Sequence, residues 1–234
     1  MPGWNLPRLS LGLVLVVLLA SGCQTTAQRA DSAPSVPKGT KVLMMSPDVE
    51  LYEVQASGLL ELKADWTEQA RQLVSAAVGK RLHNSGAIIV PYETPGEIQQ
   101  ELAHNRLIGL HRAVGGAIRQ HRSGPLALPS KHGKLDWTLG PGAQLLRDEF
   151  GTDYALFLHI RDSYTSAGRA AVMVAAALFG VAVTGGQQIG FVSLVDLRTG
   201  QVVWVNHSFS AEGDLRTPEP ATEAVRQLLA EFPI

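Results

Sequence analysis

Thiols are almost absent from this sequence: Cys23 is the single cysteine in 234 residues. No disulfide can form within the chain, and a small disulfide-stapled scaffold is excluded. An excess of either charge is missing too. Twenty lysines and arginines stand against 21 acids, so the overall balance attracts neither nucleic acid nor an anionic membrane. Neither of the apolar runs, Leu11–Ala20 and Ala170–Val183, reaches the roughly 20 residues of a membrane-crossing helix. What is present is a chain 45% hydrophobic and 18% charged, an ordinary balance for a protein with a real core. Stability has to come from buried apolar area.

Catalytic signatures are scarce as well. No two of the seven histidines are spaced as His-x-x-x-His. A Gly-x-Ser-x-Gly elbow is missing. Gly140-x-Gly142 lacks the third glycine of a dinucleotide loop and follows no strand, and Gly79-Lys80-Arg81 falls inside a predicted helix rather than a phosphate loop. Ser35-x-x-Lys38 has the spacing of a serine–lysine pair but lies in a stretch too polar to fold. His104 and His111, seven apart on one helix face with no carboxylate or cysteine at i+4, read as solvated. His159 and His207, with Asp162, Asp196 and Ser208, supply the residue types of a Ser-His-Asp arrangement, but no motif orders them. No catalytic, metal or cofactor-binding residue is assigned and no enzyme is expected; a cryptic hydrolase using His159 or His207 is the contrary reading.

The amino terminus is more informative. A short head carrying Arg8 precedes the apolar run Leu11–Ala20, then small residues, then Cys23. That order describes a secretory signal. Leu19-Ala20-Ser21-Gly22-Cys23 resembles the lipobox of bacterial lipoproteins, with Ala20 where that family usually has Leu. The resemblance implies removal of residues 1–22 and acylation of Cys23, palmitate among the acyl groups. Gln24, which is not Asp, implies release to the periplasmic face of the outer membrane. An ordinary signal with an incidental cysteine is the alternative. The region 23–39 is polar, small and proline-bearing, and is expected to be a flexible tether.

Patterning predicts the body, 40–234, as one α/β (α+β) domain: a mixed sheet of about five strands packed by three to four helices. Lys41–Ser46 is a strand stopped by Pro47, and Asp48–Val54 a second extended piece. Asp65-x-x-Glu68 is a capping box opening a helix to about Leu82, with Trp66, Ala70, Leu73 and Ala77, then Val74, Val78 and Leu82, in its buried stripe. Ala87–Val90 is a buried strand. Thr94-Pro95-Gly96-Glu97 starts a helix whose apolar side holds Ile98, Leu102, Leu107, Ile108, Leu110, Val114 and Ile118, with Gly115-Gly116 as a break or a close contact. Arg122–Trp137 is a long turn-rich loop. A short helix, Pro141–Phe150, feeds the strand Asp153–Tyr164. Gly190–Leu197 and Val202–Phe209 form a hairpin about Gly200, and Pro218 opens a last helix.

With that element order, Lys41–Pro47, Phe150–Leu156 and Val192–Trp204 resemble the α/β domain shared by the amino-terminal part of TolB, the curli-secretion lipoprotein CsgG and related small envelope lipoproteins. The resemblance implies a fold and an envelope setting. Fold alone confers no function. Ala167–Gly186 departs from that domain. This insert is alanine- and glycine-rich and apolar all round; its blander reading is a buried helix, its sharper one a surface element touching the membrane or a partner. Its lack of alternation argues against barrel strands. The function expected is that of a lipid-anchored periplasmic accessory or assembly factor, its partners envelope proteins or other copies of itself. A homo-oligomeric export or secretion component contacting the outer membrane is the alternative.

Overall fold

Backbone pairing, more than side-chain pattern, sets the size of the sheet. The computed structural model describes residues 24–30, 36–121, 126–210 and 214–234. The expected signal 1–22, Cys23, Ser35 and residues 122–125 of the turn-rich loop lie outside the described residues. Along the chain run β1 (Gln24–Arg29), β2 (Lys41–Met44), β3 (Asp48–Val54), β4 (Leu60–Leu62), α1 (Ala64–Ser85), β5 (Ile88–Pro91) and α2 (Ile98–His121). Then come α3 (Gln144–Phe150), β6 (Tyr154–Thr165), α4 (Ala167–Leu178), β7 (Gln188–Asp196), β8 (Gln201–Ser210) and α5 (Pro218–Leu228).

The central strand is β6, whose one edge is shared by two strands. Val42–Met44 of β2 pair parallel with Tyr154–Leu156, and Asp48–Val54 of β3 pair parallel with His159–Thr165. Pro47, with no amide hydrogen, separates the two stretches as patterning predicted. On the other edge β6, β7, β8 and β1 follow in antiparallel order, while β5 flanks β2 and β4 flanks β3. The result is one mixed α/β domain with an open eight-stranded sheet and five described α-helices.

That count corrects the expected five strands and three to four helices. The extended piece Asp48–Val54 proving a full strand of the sheet, the exposed hairpin strand β4 and the paired β1 raise the strand number. Gln24–Arg29 also corrects part of the expected tether: it forms antiparallel pairs with Trp204–Phe209. Polar composition misled because an edge strand needs only backbone partners, which the free edge of β8 provides. Ala30 and Val36 beyond it are buried.

Alternation on β6 divides the core as predicted. Tyr154, Leu156, Leu158 and Ile160 join one apolar cluster with α1 and α5; Ala155 and Phe157 join the other, with Leu107 and Ile118 of α2 and Leu146 of α3. Helices therefore cover both faces. Two details differ from the sequence reading. α1 begins at Ala64 with Lys63 at its cap and no side-chain cap bond, so Asp65 sits in the first turn facing the helix dipole rather than capping it. α2 begins at Ile98, after the predicted cap.

Candidate functional site

Helix α2 turns His104, Leu107, His111, Gly115 and Ile118 toward the sheet, a stripe of spacing three, four, four and three. Ile98, Leu102 and Leu110, expected inside, are exposed. Both histidines are at most 2% exposed, which overturns their reading as solvated. The apolar count failed because three of five inner positions carry two histidines and a glycine. His104 Nδ1 lies 3.1 Å from Tyr92 Oη, and its Nε2 lies 2.9 Å from Glu149 Oε2 but off the line of a hydrogen bond.

Under the middle of α2 the structure gathers three imidazoles about one phenyl ring. The Phe191 centroid lies 4.7 Å from that of His159, 5.1 Å from His111 and 6.0 Å from His207. Gly115 makes this approach possible, since a Cβ there would stand 2.0 Å from Phe191 Cε2. His111 Nε2 lies 3.1 Å from Ser193 Oγ, and the ring stacks on Phe157 at 5.0 Å. Burial, reinforced by the charge of His159, pushes His111 down to about 3. His207 has neither ring nitrogen in a hydrogen bond; burial pushes it down to about 4 against a small opposing pull from the nearby Gly115 carbonyl. Both are neutral at physiological pH.

One carboxylate ties this layer together. Asp48 Oδ2 accepts from Arg112 Nε (3.0 Å) and Nη2 (2.9 Å) and stands 3.0 Å from His159 Nδ1; Oδ1 accepts from Arg161 Nη2 (2.8 Å). Burial alone would raise its pKa. The bonds from His159 and Arg161, with their charge, outweigh burial and hold it well below the usual carboxylate range. Arg161 Nε also reaches Glu50 at 2.9 Å, and Tyr52 bonds the same Glu50. Asp48 thus pins α2 to β3 and β6.

The pieces of the imagined triad are not assembled. His159 has its carboxylate, Asp48, but no hydroxyl partner; His111 has a hydroxyl, Ser193, but no carboxylate. Asp162, expected near the histidines, projects from the opposite face of β6, where Tyr164 Oη and Gln188 Nε2 (3.1 Å) bond it. Asp196 pairs with Arg198 at 2.6 Å, at the β7–β8 turn. Ser208 neighbours His207 in sequence and so points to the other face of β8. Among the described residues no group of three or more His, Cys, Asp or Glu is placed to hold a metal.

A second latch stands on that opposite face. Tyr164 Oη donates to Asp162 and accepts the Leu215 amide at 2.9 Å. Arg216 lies 4.1 Å above the Tyr164 ring and 4.6 Å above Trp66. Burial pushes Asp162 and Tyr164 both up.

The insert is the most unusual surface. Ser166 caps α4 by accepting the Arg169 amide at 3.1 Å, and a return segment leads to β7. Arg169 Nε and Nη2 donate to Thr184 O at 3.1 and 2.9 Å, closing helix and return into an arm. No residue of α4 is buried; Leu178 is 82% and Phe179 85% exposed. The buried-helix reading is therefore corrected. Of the two readings, surface element is the one the packing gives. Among the described residues no helix is long and apolar enough to cross a membrane.

No family model and no curated protein matches the chain. Among solved structures it is similar to a point variant of the PelC dodecamer from Paraburkholderia phytofirmans, at 13% identity and a TM-score of 0.41, covering 91% of this chain and 98% of that one. It is similar to the PelC dodecamer from the same organism in a second crystal form, at 13% identity and a TM-score of 0.39, over 88% and 96% of the two chains. It is also similar to lipoprotein GNA1162 from Neisseria meningitidis, at 14% identity and a TM-score of 0.35, over 84% and 99%.

Proposed function

We propose that this protein is a lipoprotein, acylated on Cys23 and held at the periplasmic face of the outer membrane, that works as a non-catalytic accessory or assembly factor through contacts made by its arm. The observation that carries this reading is the exposure of the arm. Val174, Leu178, Phe179 and Val181 are between 55% and 85% exposed, on an element with no acidic residue. At about 25 cal/mol per Å² of apolar surface, leaving these four in water forgoes on the order of 5 kcal/mol, which a contact surface recovers when it is covered. The imidazole layer supports the same reading from the other side. Its histidines are buried against phenyl rings, which suits them to packing.

Anchoring and contact are tested together in cells. A clickable palmitate analogue is expected to label the parent chain and not Cys23→Ala. A cysteine introduced by Phe179→Cys is expected to resist a water-soluble maleimide in intact envelopes and to react after detergent dispersal. An unlabelled parent whose position 179 reacts freely in the envelope refutes the reading. The alternative, a homo-oligomeric export component, rests on the same arm and predicts a ladder of cross-linked copies through position 179.

A further inference from the structure

We propose that the sheet end carrying the arm is a membrane-docking face, and that the arm's occupant is the lipid leaflet that holds Cys23. The inference rests on the anchoring proposed above and names the partner of the same arm. Its source is strand register. The arm leaves β6 after Thr165 and re-enters β7 at Gln188. Gln188 pairs with Ser210, the last residue of β8, and Phe209 pairs with Gln24, the first residue of β1. The residue after the acylated cysteine therefore sits at the same end of the sheet as the base of the arm. Three strand spacings separate β6 from β1, so Gln24, the residue that follows the cysteine in sequence, lies roughly 15 Å to the side of that base.

Independent features mark this end. The turn between β3 and β4 lies there too, because Val54 pairs with Thr165, and it packs on the arm: a Cβ on Gly168 would stand 3.2 Å from that of Ala56. Leu59 and Leu60 on this turn are 72% and 59% exposed, and Phe209 on β8 is 47% exposed. The arm's one charge, Arg169, is spent on the Thr184 carbonyl. The far end of the sheet carries exposed ion pairs, with Arg147 bonded to Asp153 at 2.9 Å and Arg198 to Asp196. The arm's end has an ionic cluster too, Lys63 with Glu53 and Glu61 at 2.9 and 2.8 Å on the β3–β4 hairpin, so what sets this end apart is the exposed arm and the leucines of the turn, not a lack of charge.

Reach is sufficient. The 12 residues of α4 span about 18 Å, against roughly 15 Å for the hydrocarbon of one leaflet. A single acyl anchor leaves binding reversible, and a second apolar element stabilises it. Tethering at Cys23 also makes that leaflet the nearest apolar phase at high effective concentration.

The test uses the acylated full-length product reconstituted into vesicles of phosphatidylethanolamine and phosphatidylglycerol. Acylation blocks Cys23, so a single cysteine introduced by Phe179→Cys or, at the far turn, Thr199→Cys takes an environment-sensitive dye alone. The expected result is a blue-shifted emission at 179 that is quenched several-fold more by nitroxide lipids than by aqueous iodide, with the reverse at 199. A dye at 179 shielded from iodide yet unquenched by nitroxide lipids means that a second copy covers the arm; that overturns the leaflet and leaves the proposed function standing. Free iodide quenching at 179 overturns the leaflet, and joined to free reactivity in intact envelopes it overturns both. Positions 179 and 199 are surface sites, so neither substitution threatens the fold.

Discussion

Two adjacent glycines on α2 should respond to alanine with opposite signs. Gly115 and Gly116 are both inside the helix, so each Gly→Ala gains up to about 1 kcal/mol of helix propensity. At Gly116 a Cβ meets nothing within 4 Å, so the gain stands alone. At Gly115 the Cβ would lie 2.0 Å from Phe191 Cε2 and 2.4 Å from Cδ2, so ring and helix must part by more than 1 Å. The ring cannot swing away cheaply, since His111, His159 and His207 surround it. Overpacking of this kind costs about 1–3 kcal/mol, and the upper part of the range applies where neighbours are this confined. Gly115→Ala is therefore expected to destabilise by about 2 kcal/mol net, and Gly116→Ala to stabilise by up to about 1. Urea unfolding followed by circular dichroism, on a Cys23→Ala background free of lipid, reads both as midpoint shifts at unchanged m-value. Stabilisation by Gly115→Ala would refute the packing of α2 on Phe191, and with it the imidazole layer.

Acid should weaken the fold well above the carboxylate range. The folded pKa values of His111 and His207, about 3 and about 4, lie below their unfolded value near 6.5, so the unfolded chain binds protons the folded one refuses. Their stabilisation is complete above pH 6.5 and drains as pH falls; between pH 7 and 5 the two together cost roughly 4 kcal/mol, on the order of the whole stability of a weak domain. Urea midpoints at the two pH values check this, and a His111→Phe, His207→Phe double variant with an unchanged slope would contradict it. Tyr164→Phe removes the donor to buried Asp162 and the acceptor of the Leu215 amide together, and is expected to cost about 2–3 kcal/mol in the same assay. A loss below about 0.5 kcal/mol would show that this latch is replaced by water.

The sequence was legible where one period dominates. Alternation on Tyr154–Ile160, the line Ala70, Val74, Val78 and Leu82 within the α1 stripe (Trp66, Leu73 and Ala77 beside it are half-buried), the stop at Pro47 and the Gly200 turn each reached the structure, because one physical rule decided each segment. It was illegible where apolar content and burial part company. α2 buries His104 and His111 and exposes Ile98 and Leu102, since its inner face is fixed by contacts to Tyr92 just ahead of the helix and to Phe157, Phe191 and Ser193 far away in sequence. The one local signal was the register of Leu107, Gly115 and Ile118, which puts both histidines on the buried stripe. The pairing of His159 with Asp48, 111 positions apart, had no local signal at all.

The arm poses the sharpest question of necessity. β6 and β7 are antiparallel neighbours, and a two-residue turn is enough to join such strands. The pairing of Asp162 with Gln188, continued outward, sets Thr165 opposite Gly185. Replacing residues 166–184 with Asn-Gly therefore closes a tight hairpin without shifting the register. Because no residue of α4 is buried, the core loses almost nothing: the cost is the contacts of Gly168 and Arg169 with the β3–β4 turn, the bond from the Ser166 amide to Val54 O at 3.2 Å and the packing of Met173 beside Gly185. The shortened protein is expected to keep its urea midpoint within about 1 kcal/mol and to pull away from vesicles more readily than the parent. Loss of cooperative unfolding would mean that the arm is a strut of the fold after all, and its exposure would then need another cause.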